Sequence, residues 1–383
     1  MFVNEIKGLA KKFEKINPKK IDTIFITLFF LLLFIPMLKI SDEEVSKREN
    51  RILAKYPSLF VENHFNNKFT SEFEQWFNDR FNGRNKLIRY HTKLKNLFDN
   101  FSQDAKVLHD SDGWLFYKED NSLDNFQNKT LFSGDELKFV SKYLSDVDNW
   151  ARKNGKSFYY LIAPDKNKIY GEYITSLKKI RPDSESRAHQ LLNHLTTNTT
   201  VKVVYPYQTL LDSKEKGLLY YKQDTHWNDL GAYIAYRELL NVIKKDYPNI
   251  EIIQPTKYQK VLHETGDLSQ MINFAISKDQ SEYLEPEMTN ESPCTYKTED
   301  KDQKKGFECK NQLKPLRVIV FRDSFSSALV KYFNNTFASV KYEWRHDINK
   351  EDLEYIKNNA DIIILETVER YVPALLSLKF PED

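Results

Sequence analysis

Three short runs constrain the fold of this chain most: Ser157-Phe-Tyr-Tyr-Leu-Ile-Ala163, Leu316-Arg-Val-Ile-Val-Phe321 and Asp361-Ile-Ile-Ile-Leu-Glu366. Each is apolar at successive positions rather than at alternate ones. Side chains in a strand alternate between faces, so such a run has to be covered on both sides. The first is closed by Pro164, and Val201-Lys-Val-Val-Tyr205 reads as a further strand. Helical patterns lie between the runs, over 134–154 with Gly155 as C-cap and over Leu230–Lys245. Apolar strands alternating with helices define an α/β chain with a mainly parallel sheet in three layers. The stripe Phe69, Phe73, Trp76, Phe77 and Phe81 recurs at three and four residues and predicts a helical segment over 41–100. Around Asp110-Ser-Asp-Gly-Trp-Leu-Phe-Tyr117 a turn leads into an aromatic strand. Residues 276–315 are polar, contain Pro286, Pro293 and Pro315, and read as a surface insertion.

The first forty residues have a different character. Residues 1–20 hold six lysines and two acids, a net +4. The whole chain of 383 residues carries only +2, so the remainder is net −2. Such a balance excludes a dedicated nucleic-acid binder, which carries a basic excess. Thr23 to Leu38 is free of charge, and no polar face interrupts it. With Asp22 and Lys39 snorkelling to the interfaces it approaches the roughly 20 residues that span a bilayer. No small-residue cleavage pattern follows in Lys39-Ile-Ser-Asp-Glu-Glu44. The expectation is a cytoplasmic basic tail (1–20), an uncleaved single-pass transmembrane anchor (21–40), a helical lead-in (41–105) and a catalytic domain (106–383). The lysine-rich side stays in the cytoplasm, so the body lies in the periplasm or otherwise outside the inner membrane. In that compartment Cys294 and Cys309, with 14 residues between them, are expected to form a disulfide. Closing such a loop stabilises by about 3 kcal/mol.

Chemistry concentrates in two blocks. His226 lies in Asp224-Thr-His-Trp-Asn228, where a carboxylate two residues from an imidazole meets it on one side of an extended backbone. A carboxylate there fixes the tautomer and stabilises the imidazolium. The second block is Val318-Ile-Val-Phe-Arg-Asp-Ser-Phe-Ser326, a buried strand running into Asp-Ser and then a helix. Functional groups of open α/β sheets sit at such carboxyl ends. Ser324 would be a nucleophile, with N–H groups of the following turn as oxyanion donors. The bland alternative is that Asp323 or Ser324 only caps the next helix. The other histidines show no ligand spacing; His189 and His194 are five apart. No metal site and no cofactor are expected.

Together these blocks resemble the AlgJ/AlgX-type proteins of polysaccharide O-acetylation. Further matching segments are Glu49-Asn-Arg51, Trp76-Phe-Asn-Asp-Arg-Phe81, Asp112-Gly-Trp-Leu-Phe116, Ala163-Pro-Asp-Lys-Asn-Lys-Ile-Tyr170 and Gly266-Asp-Leu268. The resemblance implies an SGNH-hydrolase-like domain of circularly permuted motif order, with Asp224 and His226 preceding Ser324. Arg322 stands where many relatives have Gly. The length is nearer to the AlgJ branch than to AlgX, which adds a carbohydrate-binding module. The implied activity is transfer of acetyl to hydroxyls of an extracytoplasmic polysaccharide through an acyl-enzyme on Ser324. The implied acetyl donor is a membrane-bound O-acyltransferase. Asn228, Arg322, Lys166 and Arg370 are candidates for substrate or oxyanion contacts. A polysaccharide acetylesterase and a non-catalytic scaffold of an export complex are the rival readings.

Overall fold

The computed structural model describes residues 18–34, 40–42, 44–46, 51–61, 64–81, 106–272, 278–288, 306–311 and 314–381. The chain forms two compact units, Met1–Asn100 and Phe101–Asp383.

In the first unit Pro18–Phe34 is a helix of 17 residues. Its described apolar side chains, Ile24 to Leu31 and Phe34, are exposed, Phe25 to 70%. Among the described residues no helix is long and apolar enough to cross a membrane. Residues 35–39 of the expected anchor lie outside the described part. The expectation of a helical 41–100 needs correction. Among the described residues of that stretch the helix is Phe69–Arg80. Val45–Ser46 instead pairs with Arg51–Ile52, and Phe60–Val61 with His64–Phe65, each antiparallel. The aromatic stripe is real: Phe69, Phe73, Phe77 and Phe81 stack in sequence at 5.8–6.5 Å. Tyr56 meets Trp76 edge-on at 4.8 Å. Arg80 holds the extended chain to this helix by donating to Ala54 O at 2.9 Å and Ser41 O at 3.1 Å.

The second unit is built on one six-stranded sheet. Its strands are β1 (Ser157–Ala163), β2 (Lys202–Val204), β3 (Phe307–Lys310), β4 (Arg317–Phe321), β5 (Ser339–Glu343) and β6 (Ile362–Val368). They lie in the order β3-β5-β4-β6-β1-β2, all parallel except β3. In the centre β6 is buried at every residue and β1 at all but the first, as strands covered on both faces must be. The helices α1 (Gly134–Lys153), α2 (Arg187–Asn198), α3 (Asp229–Asp246) and α4 (Lys350–Asn359) connect and cover them. Ser133 and Glu136 close a capping box on α1, and Gly155 ends it at φ +69°. Asn228 caps α3 by accepting from Gly231 N at 3.0 Å.

The polar stretch 276–315 is more than a surface insertion. Glu282–Glu287 pairs antiparallel with Lys257–Leu262, and β3 adds an edge to the main sheet along β5. Four residues with only Phe307 and Cys309 on the buried face leave little apolar signal in a lysine-rich neighbourhood. Cys309 is disulfide-bonded. The only other cysteine, Cys294, lies outside the described residues.

Candidate active site

The turn that carries Ser324 follows from how β4 ends. Arg322 and Asp323 lead into a 3-10 turn, Ser324–Ala328, and then the short helix Val330–Thr336. Asp323 does cap this turn, as the bland reading held: its Oδ1 accepts from Phe325 N at 2.9 Å. Its Oδ2 accepts from Val368 N at 2.7 Å, tying the turn to the end of β6. Glu366 in β6 accepts from Asp323 N at 3.1 Å and from Ser326 Oγ at 2.8 Å. Burial, then the nearby Asp323 charge, pushes the Glu366 carboxyl well above its ordinary range. The cap and the turn thus coexist, and Ser324 is left half-exposed at the carboxyl end of the central sheet.

His226 comes from a folded loop. Tyr220 bridges to Trp227, and Asn228 N donates to Leu219 O at 2.9 Å, closing residues 219–228 into a hairpin-like loop. Asp224 and His226 meet, but not on extended backbone. Residues 224–226 form a bend in which Asp224 Oδ1 accepts both the His226 main-chain N–H at 2.9 Å and Nδ1 at 2.7 Å. The second oxygen, Oδ2, accepts from Asp267 N at 2.8 Å. A carboxylate at Nδ1 assigns the proton there and leaves Nε2 as an acceptor. Nε2 lies 2.7 Å from Ser324 Oγ. Trp227 Nε1 donates to Phe325 O at 2.9 Å, docking the His226 loop directly on the Ser324 turn.

Electrostatics match that geometry. Burial pushes the Asp224 carboxyl up, but the His226 imidazole and the hydrogen bonds from His226 and Asp267 hold it well below the ordinary carboxylate range. Burial pushes His226 down, and the adjoining Asp224 carboxylate more than reverses this, leaving the imidazole above its usual value.

The four further candidates fall in different places. Asn228 is the α3 cap, and its Nδ2 donates to Leu218 O at 2.5 Å, so its amide is committed to the fold. Arg322 packs its guanidinium 4.3 Å over the Trp344 ring and donates to Asp323 O and Ser327 Oγ. Lys166 is buried and donates to three carbonyls of the His226 loop, Tyr221 O, Lys222 O and Asp224 O, at 3.2, 3.1 and 2.5 Å. Burial lowers its ammonium to about 7 against the pull of Asp267 and Asp224. Arg370 is the candidate whose charge reaches His226. It pairs with Asp165 at 2.5 Å, lies 5.4 Å over the Phe325 ring, and opposes protonation of His226 by its charge. Its buried Nε has no hydrogen-bond partner among the described residues. With Tyr117, Ser122, Asp165, Lys166, Asn167 and Thr225 it lines a narrow cleft. A roomier groove of about 920 Å³, between α1, the start of α4 and Leu378–Pro381, contains none of these residues. The chemistry rather than the cavity volume therefore marks the site.

Asp267 and Glu366 were not assigned roles from the sequence. Asp267 had a signal in the Gly266-Asp-Leu268 match; Glu366 looked like the end of an apolar strand. Asp224, His226 and Asp267 are the group among the described residues whose side chains lie close enough to hold a metal ion together. Their polar atoms are instead engaged with one another and with Thr225, Ser324 and main-chain N–H groups.

A mainly parallel sheet with an Asp–His pair meeting a serine at its carboxyl ends is an α/β domain with a serine-hydrolase-like site. Residues 107–340, more than half of the sequence, match the model of the SGNH hydrolase-like domain of acetyltransferase AlgX, and the chain belongs to that family. No curated protein matches the sequence. Bacillus cereus PatB1 shares the fold at 18% identity and a TM-score of 0.50, over 70% of this chain and 96% of that one. A DHHW family protein from Eubacterium siraeum does so at 15% identity and a TM-score of 0.50, over 72% and 96%. The O-acetyltransferase domain of Pseudomonas putida AlgJ aligns at 18% identity and a TM-score of 0.45, over 70% and 92%.

Proposed function

We propose that the protein is a membrane-anchored, serine-dependent O-acetyltransferase that acts on an extracytoplasmic polysaccharide. The observation that carries this reading is the continuous line Asp224–His226–Ser324, with 2.7 Å on each side of the imidazole. Ser324 Oγ attacks the acetyl carbonyl while His226 Nε2 takes its proton, and the tetrahedral adduct collapses as the donor's leaving oxygen or sulfur receives that proton. A sugar hydroxyl then gives its proton to Nε2, attacks the Ser324 ester, and Ser324 regains the proton. The sum is transfer of one acetyl group, with no cofactor. Phe325 N–H is engaged by Asp323, so the Ser324 N–H and the unpartnered Arg370 Nε are the donors assigned to the oxyanion.

The exposed apolar helix Pro18–Phe34, with its lysine-rich approach, supports an anchor completed by the residues that follow. With the lysine-rich side kept in the cytoplasm, the proposed topology has the catalytic unit outside the cytoplasmic membrane. Acetyl would reach Ser324 from a membrane-bound O-acyltransferase, since acetyl-CoA is cytoplasmic. The disulfide at Cys309 is in keeping with an oxidising compartment. The test pairs two assays on Ser324→Ala and His226→Ala: release of acetyl from an aryl acetate, and acetyl content of surface polysaccharide in cells. Loss of both is expected. Full polymer acetylation with Ser324→Ala would reject the mechanism in favour of a scaffold, and raised acetyl content would indicate an esterase.

A further inference from the structure

Asp267 is engaged with the dyad through both its main chain and its side chain. Its N–H donates to Asp224 Oδ2 at 2.8 Å. Its carboxylate accepts from Thr225 N at 2.8 Å and Thr225 Oγ1 at 2.5 Å, gripping the residue between the two dyad members. Its Oδ2 lies 3.7 Å from His226 Nδ1, on the side away from Ser324. The preceding residue makes this approach possible. A Cβ on Gly266 would lie 2.3 Å from Gln223 O and 2.5 Å from Asp224 Cβ, so only glycine lets the two segments touch. Ser269 Oγ then accepts from Gly266 N at 2.9 Å and fixes the start of the short helix Asp267–Met271.

We propose that Asp267 is a positioning residue of the acyl-transfer site, which clamps Thr225 and Asp224 and adds a second negative charge behind the imidazolium that forms when Ser324 yields its proton. This rests on the serine mechanism proposed above. The charged groups that face His226 are Asp224 and Asp267, which favour its protonation, and Arg370, which opposes it. Lys166, bonded to the Asp224 carbonyl and facing Asp267, Asp224 and Asp279, is lowered to about 7 by burial and adds positive charge behind the loop below that value. Burial and the neighbouring Asp224 push the Asp267 carboxyl above its ordinary value, and His226 pulls it back down. The two carboxylates therefore share one environment and act on the imidazole together.

The experiment compares the full chain with Asp267→Asn, which keeps an acceptor for Thr225 and the main-chain N–H to Asp224 but loses the charge. Aryl acetate hydrolysis is followed across pH, with Ser324→Ala measured alongside. The expected result is an acid limb of kcat/KM displaced downward by about 1 pH unit, with kcat reduced and KM unchanged. Asp267→Glu, which keeps the charge, returns the limb toward its original position. An unmoved limb in a folded Asp267→Asn enzyme overturns the proposal, because a purely structural role lowers kcat without moving the titration. Should the Asn variant not fold, Asp267→Ser removes the charge with a smaller acceptor and is read the same way. Retained activity in Ser324→Ala overturns the serine mechanism instead, so the two failures are distinguishable.

Discussion

Replacing Asp224 by Asn tests the site at its most constrained atom set. Oδ1 accepts two N–H groups, from the His226 main chain and Nδ1, and Oδ2 accepts a third from Asp267. An amide has one acceptor oxygen and one NH2. If its oxygen faces His226, the NH2 points at the Asp267 N–H, donor against donor. If it turns, the NH2 meets both His226 N–H groups, and the imidazole escapes only by moving its proton to Nε2. That tautomer cannot accept from Ser324 Oγ, 2.7 Å away. Either orientation leaves at least one unpaired donor, and the second removes the base. The expected loss in kcat is about 10⁴-fold, as for the corresponding Asp→Asn change in serine proteases, which is about 5 kcal/mol of barrier. The assay is aryl acetate turnover by the full chain in detergent, with thermal unfolding as a control for folding. A folded Asp224→Asn enzyme within tenfold of wild type would refute the argument.

Two further expectations follow from the same atoms. Gly266→Ala forces the Gln223–Asp224 backbone away, a cost of about 1–3 kcal/mol for overpacking; thermal unfolding should fall by several degrees and kcat with it, and an unchanged midpoint would show that the contact yields freely. For pH, the base works only as the neutral imidazole, and His226 is raised above its ordinary value by Asp224. Activity should therefore rise with pH through a midpoint above 6.5, the ordinary histidine value, and Asp224→Ala should bring any residual activity to a lower midpoint.

Much of the site was legible because its residues act locally. The Asp224–His226 pairing needs two residues of chain, and Ser324 follows a strand whose apolar run marks its own end. β1, β4 and β6 announced themselves as continuous apolar runs for the same reason. What escaped depends on distant partners. β5 alternates Val340 and Tyr342 with Lys341 and Glu343, the pattern of a half-covered strand, and becomes part of the sheet only through β4. Asn228 and Arg322 are of the right chemical type for an oxyanion site. Their side chains were claimed by a helix start and by Trp344, which lies 22 residues beyond Arg322. Asp267 is 43 residues from Asp224, and no periodicity joins them. The expected helical lead-in fails over 45–65, where the described chain pairs as short strands and the aromatic spacing carried by Phe69–Arg80 was extrapolated; residues 82–105 lie outside the described part.

The strand order has a consequence for how such a protein is made. β6, the last strand in chain order among those described, lies between β1 and β4. Until residues 362–368 have emerged, those two strands have no neighbour on the sides they turn to each other, and Asp323 lacks the Val368 N–H that fixes the nucleophile turn. The sheet therefore closes from its middle and late, after most of the chain has been synthesised and, on the topology proposed here, moved across the membrane. A chain arrested shortly before residue 362 would present two bare apolar strand edges. It would also have Asp224, His226 and Ser324 all present and no active site.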